Sequence, residues 1–177
     1  HGDSISKALV NCSSDDLIMI SDADEIPNFK SILNTKINKF ALLSQKNFYY
    51  KLNLQSNDNW LGTGICYKKY LKSPQWLRNK RFLRRGFFRR MFFKTQIIKD
   101  GGWHFSFLKT PKDIINKMQS YGHGELNMSL STENIEKSIN SKEFFINPNV
   151  KLNNVKIDDS YPDYIKNNTK NLSEWIF

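Results

Sequence analysis

The chain has 177 residues, of which 39% are apolar and 14% aromatic, and it carries a net charge of +10 from 27 Lys and Arg against 17 Asp and Glu. That is enough apolar material for one domain with a real core, which excludes a disordered chain, and no apolar run approaches the roughly 18 residues that cross a bilayer. The excess of positive charge favours an anionic partner (a nucleotide diphosphate, a nucleic acid or an acidic membrane surface) without choosing among them. Ile5, Ala8 and Leu9 predict a short helix over residues 4–11, leading through Ser13-Ser14-Asp15 into Leu17-Ile18-Met19-Ile20. Four apolar residues bounded by acids predict a buried strand. The opening Gly2-Asp3-Ser4 has the look of an esterase nucleophile block, but no strand precedes it to form an elbow.

Ser21-Asp22-Ala23-Asp24-Glu25 follows the strand. In open α/β sheets, ligands bind beyond the carboxyl ends of the strands, where these acids would stand. Alternation along an extended chain puts Asp22 and Asp24 on one side and turns Ala23 away. Two converging carboxylates repel unless a cation neutralises them, and a hard divalent ion shared with a diphosphate is the natural partner. Taken in isolation, Asp-x-Asp reads more readily as solvated loop acids ahead of a helix.

Asn28 can cap a helix with apolar positions Phe29, Ile32, Leu33 and Ile37, and Phe40 to Leu54 predicts one or two strands. Asn57 to Gly64 reads as a loop in which Trp60 offers a flat face to a sugar ring or simply packs. Ile65 to Leu71 predicts a strand, and Ser73-Pro74 opens a short helix through Trp76 and Leu77. From Arg78 to Lys94, basic and aromatic residues interleave. The interleaving suits a single-stranded nucleic-acid groove, or a segment that packs its rings inward while one or two Arg clamp a diphosphate. Gly101-Gly102-Trp103-His104 combines backbone freedom, a ring to wall a pocket and an imidazole that either packs or ligates. Thr110-Pro111 opens a helix that Gly122 would end, and Tyr121 to Asn127 is a loop in which His123 or Glu125 serves as a general base or merely caps the helix. Thr132 to Ile139 predicts another amphipathic helix. Cys12 and Cys66 have neither metal-ligand spacing nor scaffold density, which fits free thiols in a reducing compartment.

Four blocks in order, Asp16 to Pro27, Phe48 to Asn53, Trp60 to Thr63 and Gly101 to Ser106, resemble glycosyltransferase family 17, whose members include the enzyme that adds the bisecting N-acetylglucosamine to N-glycans. The resemblance implies an A-type glycosyltransferase fold, an α/β sandwich around a mainly parallel sheet. It implies a catalytic domain over residues 1–147, partial because family members carry a longer segment ahead of the carboxylate block, and a C-terminal extension over residues 148–177. It implies an inverting transferase moving N-acetylglucosamine from UDP-N-acetylglucosamine to a glycan hydroxyl in β-1,4 linkage, with Mn²⁺ or Mg²⁺ held by Asp22, Asp24 and His104. Glu25, Trp60, Gly62, Thr63, Arg84, Arg85, Gly101, Gly102 and Trp103 are its expected substrate-binding residues, and Glu125 or His123, after Ser120, supplies the base. No nucleic-acid partner is then expected. The chain itself reads as cytoplasmic or membrane-peripheral, and a eukaryotic family member would work in the Golgi lumen. Two other readings remain: a basic nucleic-acid-binding module built on residues 78–94, and an inactive carbohydrate-binding remnant that keeps Trp60 and Trp103.

Overall fold

A computed structural model describes residues 7–81, 95–120 and 130–177. The chain divides into two compact units, one of residues 1–46 and 59–104 and the other of residues 47–58 and 105–177.

The first unit is built on strands β1 (Leu17–Ile20), β2 (Glu25–Pro27), the start of β3 (Phe40–Tyr49), β5 (Trp60–Tyr67), β6 (Gln96–Ile98) and the start of β7 (Gly102–Ser106), with helices α1 (Phe29–Leu33) and α2 (Pro74–Asn79). β1 runs antiparallel to β5, with Ile18 opposite Cys66 and Ile20 opposite Gly64. β5 runs antiparallel to β3, and β2 to β7. β6 departs from this pattern, running parallel to β3. A mainly parallel A-type sandwich is therefore not the fold: the described sheet is mostly antiparallel. The physical reason lies in the connections. A parallel pair needs a crossover of a dozen or more residues, usually a helix, whereas the turn from β1 to β2 spans Ser21–Asp24 and α1 is only 5 residues long.

Side chains on both faces of β5 are buried. Ile65 joins Ile32, Ile37, Ala41, Leu43 and Ile98, while Cys66 joins Ile18, Ile20 and Leu77. The predicted loop over Asn57 to Gly64 is in large part strand, since β5 begins at Trp60. Its glycines serve close packing instead of a turn: a Cβ on Gly64 would stand 2.8 Å from Cγ of Leu77, on α2. The expected caps are present. Asn28 accepts from the Lys30 amide ahead of α1, and Ser73 accepts from the Trp76 amide ahead of α2, with Pro74 in the first position.

The second unit holds the end of β3, β4 (Leu54–Ser56), the end of β7, α3 (Pro111–Ser120), α4 (Thr132–Asn140), β8 (Glu143–Phe144), β9 (Asn147–Asn154) and α5 (Asp163–Asn167). Its core gathers Tyr50, Leu54, Ile114, Met118, Ile135 and Leu152. β4 and β8 both pair antiparallel with β9. The last residues pack here: the Tyr161 hydroxyl donates to the Leu52 carbonyl at 3.1 Å, and the Phe177 amide donates to Oδ1 of Asn53 at 2.7 Å.

Burial pushes the phenols of Tyr50 and Tyr161 well above their ordinary value of 10.0. A group whose pKa is raised by folding contributes fully below its unfolded value, and the contribution is lost as pH rises past it. Stability is thus expected to hold to about pH 10 and fall above it, since the unfolded phenols ionise there while the buried ones resist. Urea midpoints measured between about pH 8 and about pH 11 check this, and Tyr161→Phe should make the alkaline fall less steep; an equally steep fall would count against the assignment.

Candidate active site

The site lies in the first unit, and its centre is Glu25. Where β1 ends the chain does not stay extended: the Glu25 amide donates to the Asp22 carbonyl at 3.1 Å, closing a turn over Asp22–Glu25. Alternation therefore does not govern this stretch, and each acid takes its own direction.

The Glu25 side chain is 1% exposed and is surrounded by donors. Oε1 accepts from the indole Nε1 of Trp60 at 2.7 Å. Oε2 accepts from the Thr63 amide at 2.9 Å, the Thr63 hydroxyl at 3.0 Å and the Asp22 amide at 3.0 Å. A buried carboxylate is sustained by such charge-assisted bonds, which satisfy its lone pairs in place of water. The positive charge nearby is Arg81, whose Nη1 stands 3.6 Å from Oε1.

Gly62 makes room for this network. A Cβ there would lie 2.1 Å from Oε1 of Gln45 and 2.6 Å from Oε1 of Glu25. Gln45 is fully buried and donates to the Thr63 hydroxyl at 3.3 Å.

Asp22 faces the end of α2. One of its carboxylate oxygens is ion-paired with Nη2 of Arg78, and the other with Nη1 of Arg81 at 3.1 Å. Together with Ile20, Glu25, Gly62, Thr63 and Gly64 these residues line a narrow recess. Asp24 takes the other direction, its Oδ2 3.6 Å from Nε2 of His104. β2 and β7 set that approach, because Glu25 is opposite His104 in their ladder. The His104 ring is buried and stacks on Trp60, with centroids 4.4 Å apart and planes 13° from parallel, and the Arg81 guanidinium lies 5.4 Å from the Trp60 centroid. Trp60 is thus tied to Glu25 by its edge and to His104 through its face.

Gly101 and Gly102 admit the chain itself to close quarters. A Cβ on Gly101 would stand 2.6 Å from Cβ of Leu43, and one on Gly102 would stand 2.0 Å from the Ile26 carbonyl oxygen. Trp103 is half-buried opposite Ile26, and its buried indole Nε1 has no hydrogen-bond partner among the described residues.

Of the residues expected from the sequence, Asp22, Asp24, Glu25, Trp60, Gly62, Thr63, Gly101, Gly102, Trp103 and His104 all fall in this unit. Arg84, Arg85, His123 and Glu125 lie outside the described residues. Gln45 is not among the expected residues: it lies in the polar run Ser44-Gln45-Lys46-Asn47 of β3, and nothing in the sequence singles it out. Arg78 and Arg81 had been part of a basic run without individual roles; their three-residue spacing beyond the Ser73 cap, one helical turn, was the sign that they act together.

Among the described residues, no three or more His, Cys, Asp or Glu side chains cluster as a ready metal cage. A divalent ion shared with a substrate diphosphate does not need one, since it keeps waters and takes one or two protein carboxylates. Asp24 and His104, a carboxylate and an imidazole at 3.6 Å, fit such an ion. Asp22, expected at the same ion, is ion-paired with Arg78 and Arg81 in this structure.

A sequence-family model described as glycosyltransferase family 17 matches residues 3–145, and the chain belongs to that family. It is accordingly a glycosyltransferase domain, whose reaction takes a sugar donor and a glycan acceptor. No curated protein and no solved structure shows significant similarity to it. No helix among the described residues is long and apolar enough to cross a membrane.

Proposed function

We propose that the chain transfers N-acetylglucosamine from UDP-N-acetylglucosamine to a glycan hydroxyl, with inversion at the anomeric carbon, in β-1,4 linkage and with Mn²⁺ or Mg²⁺ as cofactor. The observation that carries the reading is the approach of Asp24 to His104 at 3.6 Å beside the Glu25 turn. The same two residues would hold the cation. When bound, it supplies positive charge that stabilises the departing nucleoside diphosphate.

The chain's own residues do the remaining work. Glu25 holds the turn that aims Asp24 and fixes the indole edge of Trp60. Stacking on Trp60 then orients the His104 ring. The acceptor oxygen attacks the anomeric carbon as its proton passes to Glu125 or His123, and the bond from that carbon to the diphosphate oxygen breaks with its electron pair leaving on UDP. The base takes its role from family resemblance alone.

Calorimetry of UDP-N-acetylglucosamine with and without Mn²⁺, on this chain and on Asp24→Asn, tests the proposal. Metal-dependent binding is expected in the parent, with a loss of about tenfold or more in the variant, the scale of a charged hydrogen-bonding or ligating group. Equal binding by both proteins, with or without metal, would overturn the cation assignment.

A further inference from the structure

Asp22 is the first acid of the turn, yet both of its carboxylate oxygens are taken by arginine. Arg78 and Arg81 come from the last turn of α2 and the residues just beyond it, and they converge on this one group. The three side chains sit at the protein surface without being fully open to it: Arg78 is 33% exposed, Arg81 19% and Asp22 26%. The two pairs are partly open to water, which competes for the partners and lowers the cost of exchanging one anion for another. The arrangement is therefore exchangeable. Two planar guanidinium forks presented side by side match an anion with more oxygens and more charge than one carboxylate, and bidentate recognition of phosphate is what that fork does best.

We infer that Arg78 and Arg81 form a binding subsite for a diphosphate group, and that Asp22 is the internal anion filling it in the ligand-free chain. The inference rests on the transferase reading only in naming the diphosphate as part of a sugar donor; the guanidinium chemistry stands without it. Arg81 keeps an anchor when Asp22 gives way, since Glu25 Oε1 is 3.6 Å from Nη1 and Glu25 is itself held by Trp60, Thr63 and the Asp22 amide. The narrowness of the recess follows from the same exchange, because the ion pairs themselves fill the space that the diphosphate would enter. Gly62 and Gly64 line the same recess.

The probe is inorganic pyrophosphate, titrated calorimetrically without divalent cation into the full chain, Arg78→Ala, Arg81→Ala and Asp22→Asn, each first checked for a cooperative thermal transition. The parent is expected to bind. Each arginine variant should lose about tenfold in affinity, the scale of one charge-assisted contact. Asp22→Asn should bind several-fold more tightly than the parent, since the competing carboxylate is gone; a gain of affinity is not an effect that misfolding produces. The inference is overturned by pyrophosphate binding that is insensitive to both arginines, by Asp22→Asn binding more weakly than the parent, or by no binding to the parent and to Asp22→Asn. UDP-N-acetylglucosamine titrated in parallel separates the two readings. Arginine-dependent pyrophosphate binding without sugar-nucleotide binding supports the subsite and counts against the proposed donor, whereas sugar-nucleotide binding unaffected by the arginines overturns the subsite alone.

Discussion

Glu25→Ala is expected to destabilise the chain by about 3–5 kcal/mol, the cost of breaking a buried charge network by removing one partner. The substitution strands the Trp60 indole N–H, the Thr63 amide and the Asp22 amide, all of which now donate to one carboxylate. Each buried donor left without an acceptor costs about 1–3 kcal/mol, and partial relaxation keeps the total below their sum. Glu25→Gln keeps the volume and one acceptor oxygen, so a smaller loss of about 1–3 kcal/mol is expected for it. Equilibrium urea unfolding measures both. If Glu25→Ala unfolded within about 0.5 kcal/mol of the parent, the usual range of a neutral surface change, the acid would not be what holds the turn.

Gly102→Ala is expected to cost about 3 kcal/mol or more, because strain and overlap add at one position. Gly102 has φ +133, a conformation that side chains rarely adopt, and its Cβ would fall 2.0 Å from the Ile26 carbonyl oxygen and 3.0 Å from the Asn28 nitrogen. These neighbours are main chain and cannot swing aside. Relief requires β2 to part from β7, which breaks the pairing of Glu25 with His104. Gly62→Ala makes a useful contrast, since the atoms it meets are the ends of the Gln45 and Glu25 side chains. A side chain gives way at lower cost than a strand, so Gly62→Ala should be the milder of the two in unfolding experiments. Gly102→Ala as stable as Gly62→Ala would mean that the β2–β7 pairing tolerates separation.

Much of the local structure is legible in the residues. The Asn28 and Ser73 caps and the Thr110-Pro111 opening lie where hydroxyl, amide and Pro chemistry put them, because capping is decided within four residues. Leu17–Ile20 is a strand, as its apolar run between acids predicts. The helix after Asn28 is shorter than its apolar spacing suggests: it ends at Leu33, which is 83% exposed, and Ile37 is buried beyond it. The strand at Trp60 was obscured by its glycines, which read as turn residues until Leu77, Gln45 and Glu25 are seen to press against them.

By itself the sequence determined the family, through four ordered blocks, and the presence of acids at the end of an apolar strand. Those are properties of residue identity and short-range spacing. Only the tertiary structure decided that the strands pair mostly antiparallel, since the apolar pattern of a buried strand is the same whichever way its neighbour runs. The tertiary structure alone also gave the acids separate partners, Asp22 with Arg78 and Arg81, Asp24 with His104, and Glu25 with Trp60 and Thr63. Those partners come from α2, β5 and β7, and which carboxylate meets which donor is settled by the turn and the strand register, at distances in the chain where local pattern carries no information.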